Sequence, residues 1–154
     1  MVAVLVNRVK IAQQNRKEFE RAGLTNCSYF VSSLGEKKIS QVTFASYQSI
    51  MYSPHYFNLI IIDETHNITD GLVKFIEECE KINPKLKIAG FTATPFNRYG
   101  EIYGKDKFYE SVTFNMHIGE LIGDGYICDY TLQSSRAAFN TDHLSTTGDD
   151  YKQR

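Results

Sequence analysis

The chain has 154 residues, of which 42% are apolar and 13% aromatic, enough to fill the core of a single domain. Charged residues make up 23% and the formal net charge is −1, which excludes a disordered chain and a strongly basic protein that coats nucleic acid, so any nucleic-acid contact must be local. Cys27, Cys79 and Cys128 have neither zinc-site spacing nor the count of a disulfide framework, and no apolar run nears the roughly 18 to 20 residues of a membrane span, so no membrane partner and a reducing cytoplasm are expected.

Residues 2–6, Val-Ala-Val-Leu-Val, form a continuous apolar run that predicts a parallel strand covered on both faces. Apolar residues at roughly helical spacing predict a helix over 9–22, with Gly23 at its C-cap. Short strands are expected at 29–31 and 41–46, then one helical turn over 47–51. Leu59-Ile60-Ile61-Ile62 is the most hydrophobic strand candidate and stops at Asp63-Glu64; an amphipathic helix is expected over 70–81. A strand over 86–91 ends at Thr92-Ala93-Thr94-Pro95. Strands at 112–114 and 128–133 and a helix over 118–123 complete the expected pattern. Alternating strands and helices indicate an α/β fold with a doubly wound, mainly parallel sheet, whose ligands bind beyond the carboxyl ends of the strands.

Both polar clusters fall at such strand ends. Adjacent acids leaving a buried strand suit magnesium chemistry on a nucleotide: one carboxylate holds the ion, mostly through water, and the other orients or deprotonates an attacking water. Alone, Asp63-Glu64-Thr65-His66 is equally the composition of a solvated turn, and Thr92-Ala93-Thr94-Pro95 is an ordinary turn closed by proline. The two in this order are more specific than either, because adjacent parallel strands would bring the threonine hydroxyls near His66.

At this point the sequence resembles the first RecA-like motor domain of a superfamily 2 helicase of the DEAD/DEAH type, within the P-loop NTPases. Residues 59–66 match its Walker B motif and Thr92-Ala93-Thr94 its coupling motif. Val4-Leu5-Val6-Asn7-Arg8 and Thr43-Phe44-Ala45-Ser46-Tyr47-Gln48-Ser49 are similar to its nucleic-acid segments. The resemblance covers residues 2–133, and the ending, with Gly125-Tyr126-Ile127, is similar to the RadD-like and type III restriction-subunit branch. It implies that Asp63 holds Mg²⁺, Glu64 positions the hydrolytic water, and His66 bonds toward Thr92, Ala93 and Thr94. It further implies that Asn7, Arg8, Ser46, Tyr47 and Gln48 face a DNA or RNA strand or duplex junction, contacting backbone rather than bases. For Arg8 a solvated helix start, and for Tyr47 a place in the core, remain open alternatives.

The sequence departs from the family in two ways. Thr65 stands where the family has a small residue, adding a hydroxyl and a branched Cβ. No Gly-x-x-x-x-Gly-Lys-Ser/Thr occurs; the segment from Gly100 through Gly104 to Lys105 follows the threonine cluster and lacks the hydroxyl residue beside the lysine. That loop would supply the main-chain cradle and the lysine for phosphate. The expectation is therefore a partial RecA-like domain over 1–133 that lacks the phosphate-loop strand and helix. Residues 134–154 are expected to be a linker or tail toward an absent second RecA-like domain. ATP and Mg²⁺ would serve the intact parent without binding this chain tightly. Two other classes stay in view: a stand-alone regulatory module that binds nucleic acid or a partner, and, more weakly, a metal-dependent hydrolase with Asp63, Glu64 and His66 as direct ligands.

Overall fold

In the computed structural model, residues 1–97 and 100–131 are described, together with the backbone of 146–147 and 150–151. The chain divides into two compact units, Met1–Val112 and Thr113–Arg154.

The first unit is built on a six-stranded sheet in the order β3-β2-β4-β1-β5-β6, where β1 is Val2–Val6, β2 Cys27–Val31, β3 Glu36–Lys37, β4 Val42–Ser46, β5 Leu59–Asp63 and β6 Lys87–Phe91. All neighbours pair in parallel except β2 and β3. The expected α/β, mainly parallel architecture is thus observed. Alternation along the strands explains its layering. Ala3, Leu5, Ala45, Ile60 and Ile62 point to one face, where helix α3 (Asp70–Ile82) covers them with Leu72, Phe75, Ile76 and Cys79. Val4, Val6, Val42 and Phe44 point to the other, where helix α1 (Val9–Arg21) supplies Ala12 and Phe19, the latter edge-on to Phe44 at 5.2 Å between ring centroids. Each large side chain buried in these layers contributes about 1.5–3 kcal/mol.

Helix ends follow sequence chemistry. α1 stops in a Schellman motif: Gly23, at φ +89°, donates to the Glu20 carbonyl, and Leu24 donates to that of Phe19, both at 3.0 Å. α3 starts at Thr69, whose hydroxyl accepts from the Leu72 amide. A short helix α2 (Tyr47–Ile50) follows β4 directly.

Beyond β6, a small hairpin of β7 (Phe96–Asn97) and β8 (Gly100–Glu101) leads into a loop that ends at Tyr109. The second unit holds helix α4 (Ile118–Gly123), as expected, and a short antiparallel ladder of β9 (Thr146–Thr147) with β10 (Asp150–Tyr151). The strand expected at 112–114 is not formed: among the described residues no neighbour pairs with it, and Val112 and Phe114 are exposed, so the β-branched and aromatic propensity of the segment finds no described strand to join. Likewise residues 128–131 are not a strand, and 132–133 lie outside the described residues. So does the expected tail at 134–154, apart from that ladder. Among the described residues no helix is long and apolar enough to cross a membrane, and all three cysteines are free thiols.

Candidate functional site

The carboxyl ends of β4, β1, β5 and β6 lie side by side, because register aligns Val6 with Ser46 and Asp63 with Phe91. Every residue singled out from sequence leaves the sheet at this one rim: Ser46, Tyr47 and Gln48 after β4, Asn7 and Arg8 after β1, Asp63 to His66 from β5, and Thr92, Ala93 and Thr94 after β6.

The acid turn and the threonine turn are joined directly. His66 Nδ1 lies 2.9 Å from Thr92 Oγ1, and its Nε2 lies 2.8 Å from the Asn67 side-chain amide. Thr92 Oγ1 also donates to the Thr94 carbonyl and accepts from the Thr94 amide, both at 3.1 Å. One assignment satisfies every partner: a neutral imidazole that donates from Nδ1 to Thr92 and accepts at Nε2 from Asn67. Glu64 Oε2 approaches the same Nδ1 at 3.4 Å.

Glu64 carries the backbone irregularity of the site. Its φ of 50° and ψ of 47° put a non-glycine residue in the left-handed region, which costs about 1–2 kcal/mol and persists only where the surroundings fix it. The turn swings the Glu64 side chain out to solvent, while Asp63 is half-buried and accepts the Glu64 amide at Oδ1 at 3.1 Å. A short 3-10 turn, Thr65–Asn67, follows, with Thr65 buried at 2% exposure.

Two phenols, Tyr47 buried and Tyr109 half-buried, hold this turn. The Tyr47 hydroxyl donates to the Asp63 carbonyl, reaching past the end of β1, and the Tyr109 hydroxyl shares a hydrogen bond with that of Thr65. Burial pushes the Tyr47 phenol well above its usual range, and the neighbouring Asp63, Tyr109 and Glu64 push the same way. Burial also raises Tyr109, against the pull of its bond to Thr65.

The rim residues differ in exposure. Asn7, Arg8 and Gln48 are open to solvent. Ser46 and Tyr47 are buried, at 5% and 6% exposure, and carry internal bonds, Ser46 Oγ to Ser49 Oγ at 2.7 Å and Tyr47 to Asp63. Arg8 is the N-cap residue of α1, its carbonyl accepting the Ile11 amide at 3.0 Å while its side chain makes no cap bond.

The donor set suits a hard cation held by one carboxylate and completed by water and phosphate oxygens, since Asp63 keeps an oxygen beyond the one that accepts the Glu64 amide. Among the described residues no group of three or more His, Cys, Asp or Glu is arranged to hold a metal ion. Sequence reasoning missed Asn67, although it adjoins His66, and also missed Gly90 and Tyr109, whose roles arise only from pairing distant segments.

Comparison with known proteins bears on the fold that carries these residues. A search of curated proteins gave no match. A solved structure, a nuclease-deletion mutant of the Type ISP restriction-modification enzyme LlaGI in complex with a DNA substrate mimic, aligns with 80% of this chain at 16% identity and a TM-score of 0.51. This chain spans 15% of that one, so the likeness is one of fold. The family model described as type III restriction enzyme, res subunit, matches residues 1–97. The chain therefore belongs to the type III restriction enzyme res subunit family, with the fold of a superfamily 2 helicase RecA-like domain.

Proposed function

We propose that this chain forms part of the ATP site of a nucleic-acid helicase or translocase and is itself inactive for want of a phosphate-gripping loop. Asp63 is the residue that would hold Mg²⁺, mostly through water; the ion, when bound, neutralises charge on the phosphate oxygens. Glu64, turned outward by its left-handed backbone, orients the water that attacks. His66 carries the state of the nucleotide to Thr92 and, through it, to Ala93 and Thr94, the turn that shifts when motor domains move. The observation that carries the reading is the His66–Thr92 bond of 2.9 Å, which joins the two motif turns with a tautomer fixed by Asn67.

The same rim offers Asn7, Arg8 and Gln48 to a nucleic-acid backbone, with Ser46 and Tyr47 supporting them from beneath. The DNA substrate mimic bound to the LlaGI mutant supports DNA as the first polymer to test. We further place residues 1–133 in the ATP-binding domain and assign 134–154 to the connection toward a second RecA-like domain. The missing phosphate loop would come from a segment that extends the sheet.

The test is ATP turnover with Mg²⁺ and single-stranded DNA, measured for residues 1–154 and for a polypeptide joining this sequence to a phosphate loop. The shorter chain is expected to stay at the buffer rate. The longer one should turn over and lose about 10²- to 10⁴-fold in kcat on Glu64→Gln. Full turnover with Glu64→Gln would remove Glu64 from the chemistry.

A further inference from the structure

The acid turn is braced from two sides by residues that lie outside the acid pair. From the start of α2, Tyr47 bonds to the Asp63 carbonyl, one residue before Glu64. From the far loop, Tyr109 bonds to the Thr65 hydroxyl, one residue after it. Glu64, the residue with a left-handed backbone in this turn, is bracketed between them.

Each brace is itself anchored. The Tyr109 amide donates to the Ile102 carbonyl at 3.4 Å, its carbonyl accepts from Gly104 at 2.8 Å, and its ring meets Phe108 edge-on at 4.9 Å. The Ile102 amide in turn donates to Pro95 at 3.2 Å, and β7 lies beside the Thr65–Asn67 turn. The loop thus runs from the end of the threonine turn back to the acid turn. The sheet leaves room for it: a Cβ at Gly90 would overlap the Tyr109 hydroxyl, standing 2.6 Å from its Cζ and 2.7 Å from Thr65 Cγ2. On the other side, Tyr47 opens the helix that presents Gln48 at the rim.

We propose that Tyr47 and Tyr109 are positioning residues that lock Glu64 in its outward, left-handed turn, with Tyr109 and Thr65 forming a second link between the acid turn and the threonine turn beside His66–Thr92. The role of Glu64 in turnover rests on the function proposed above; the bracket itself does not. Thr65 thereby gains a purpose for its hydroxyl: it is the acceptor or donor that meets Tyr109, and a small apolar residue there would leave the half-buried phenol without this partner.

Two measurements test it. In the 154-residue chain, hydrogen exchange of the Asn67 amide, which donates to the Glu64 carbonyl at 3.0 Å, should quicken about 10-fold in Tyr109→Phe and in Thr65→Val, with β1 and β4 unchanged and Thr65→Ser restoring protection. The two substitutions remove the same bond from opposite ends, so the result does not depend on one variant folding. In the polypeptide that includes a phosphate loop, Tyr47→Phe, Tyr109→Phe and Thr65→Val should lower kcat about 10- to 100-fold at an unchanged KM for ATP, with Thr65→Ser near the parent rate. Unaltered exchange in both Tyr109→Phe and Thr65→Val overturns the bracket. So does unaltered kcat in those two variants while Glu64→Gln is inactive. If Glu64→Gln stays active, the proposed function falls and the exchange measurement alone judges the bracket.

Discussion

The two edges of the six-stranded sheet are finished in different ways. At one edge β3 is two residues long, antiparallel and charged, Glu36 and Lys37, and it closes off β2 with side chain as well as main chain. The Glu36 carboxylate accepts the Tyr29 amide at 2.9 Å and the Lys38 amide donates to the Tyr29 carbonyl at 2.9 Å, leaving little of β2 to recruit another strand. At the other edge β6 runs for five residues, Lys-Ile-Ala-Gly-Phe, without a buried one, and Phe91 is 61% exposed. Among the described residues no strand pairs along its far side. A mainly apolar strand left open along one side is built like an interior strand, and that is the edge where the proposed phosphate-loop segment would extend the sheet.

The largest effect expected from this contrast comes from Gly90→Ala. The added methyl meets the Tyr109 ring and the Thr65 methyl, both packed against the acid turn, so overpacking should cost about 1–3 kcal/mol in chemical denaturation. A neutral result would mean that Tyr109 gives way freely and that β6 tolerates a side chain on this face.

The legibility of the molecule follows the same division. Strands β1, β2, β4, β5 and β6 and helices α1 and α3 could be read because hydrophobic runs and helical spacing are local signals, and Gly23 marked its helix end by chemistry; β3 could not, since Glu36-Lys37 carries no apolar run. The acid turn and the threonine turn were recognisable as motifs, and their adjacency followed from parallel neighbours. The burial of Tyr47 was one of two readings left open, but the left-handed Glu64, the bond from Tyr47 to the Asp63 carbonyl and the contact between Thr65 and Tyr109 were not legible, since each depends on segments that only the fold brings together. Residues 112–114 misled for the opposite reason: their local propensity was strand-like, but among the described residues no partner strand satisfies it.

A smaller effect separates the two sides through pH. Tyr47, on the acid-turn side, is held neutral by burial and then by Asp63, Tyr109 and Glu64. Tyr29, beside β3, is also raised by burial, but the Arg16 guanidinium 4.5 Å above its ring offsets part of this. A phenol whose folded pKa is raised contributes its full stability below the unfolded value near 10, and loses it as pH climbs toward the folded value, because the unfolded chain releases the proton first. Unfolding free energy should therefore fall between about pH 9.5 and 11, by at most about 1.4 kcal/mol per pH unit for each such group. Tyr47→Phe should flatten that slope more than Tyr29→Phe; equal flattening would place the two phenols in equivalent surroundings.

The smallest expected effect lies at the finished edge. In Glu36→Gln the amide oxygen can still accept the Tyr29 N–H, and the pairs Phe30–Lys37 and Val31–Glu36 are made by main chain, so the ladder keeps its bonds. Only the carboxylate's charge is lost, and its attraction for Arg16 acts on a surface open to solvent and screened by salt. Stability should move by less than about 0.5 kcal/mol, measured by urea unfolding at moderate ionic strength. A loss well above 1 kcal/mol, shrinking as salt is added, would show that this edge is held by charge, and the distinction between a closed edge at β3 and an open one at β6 would then rest on β6 alone.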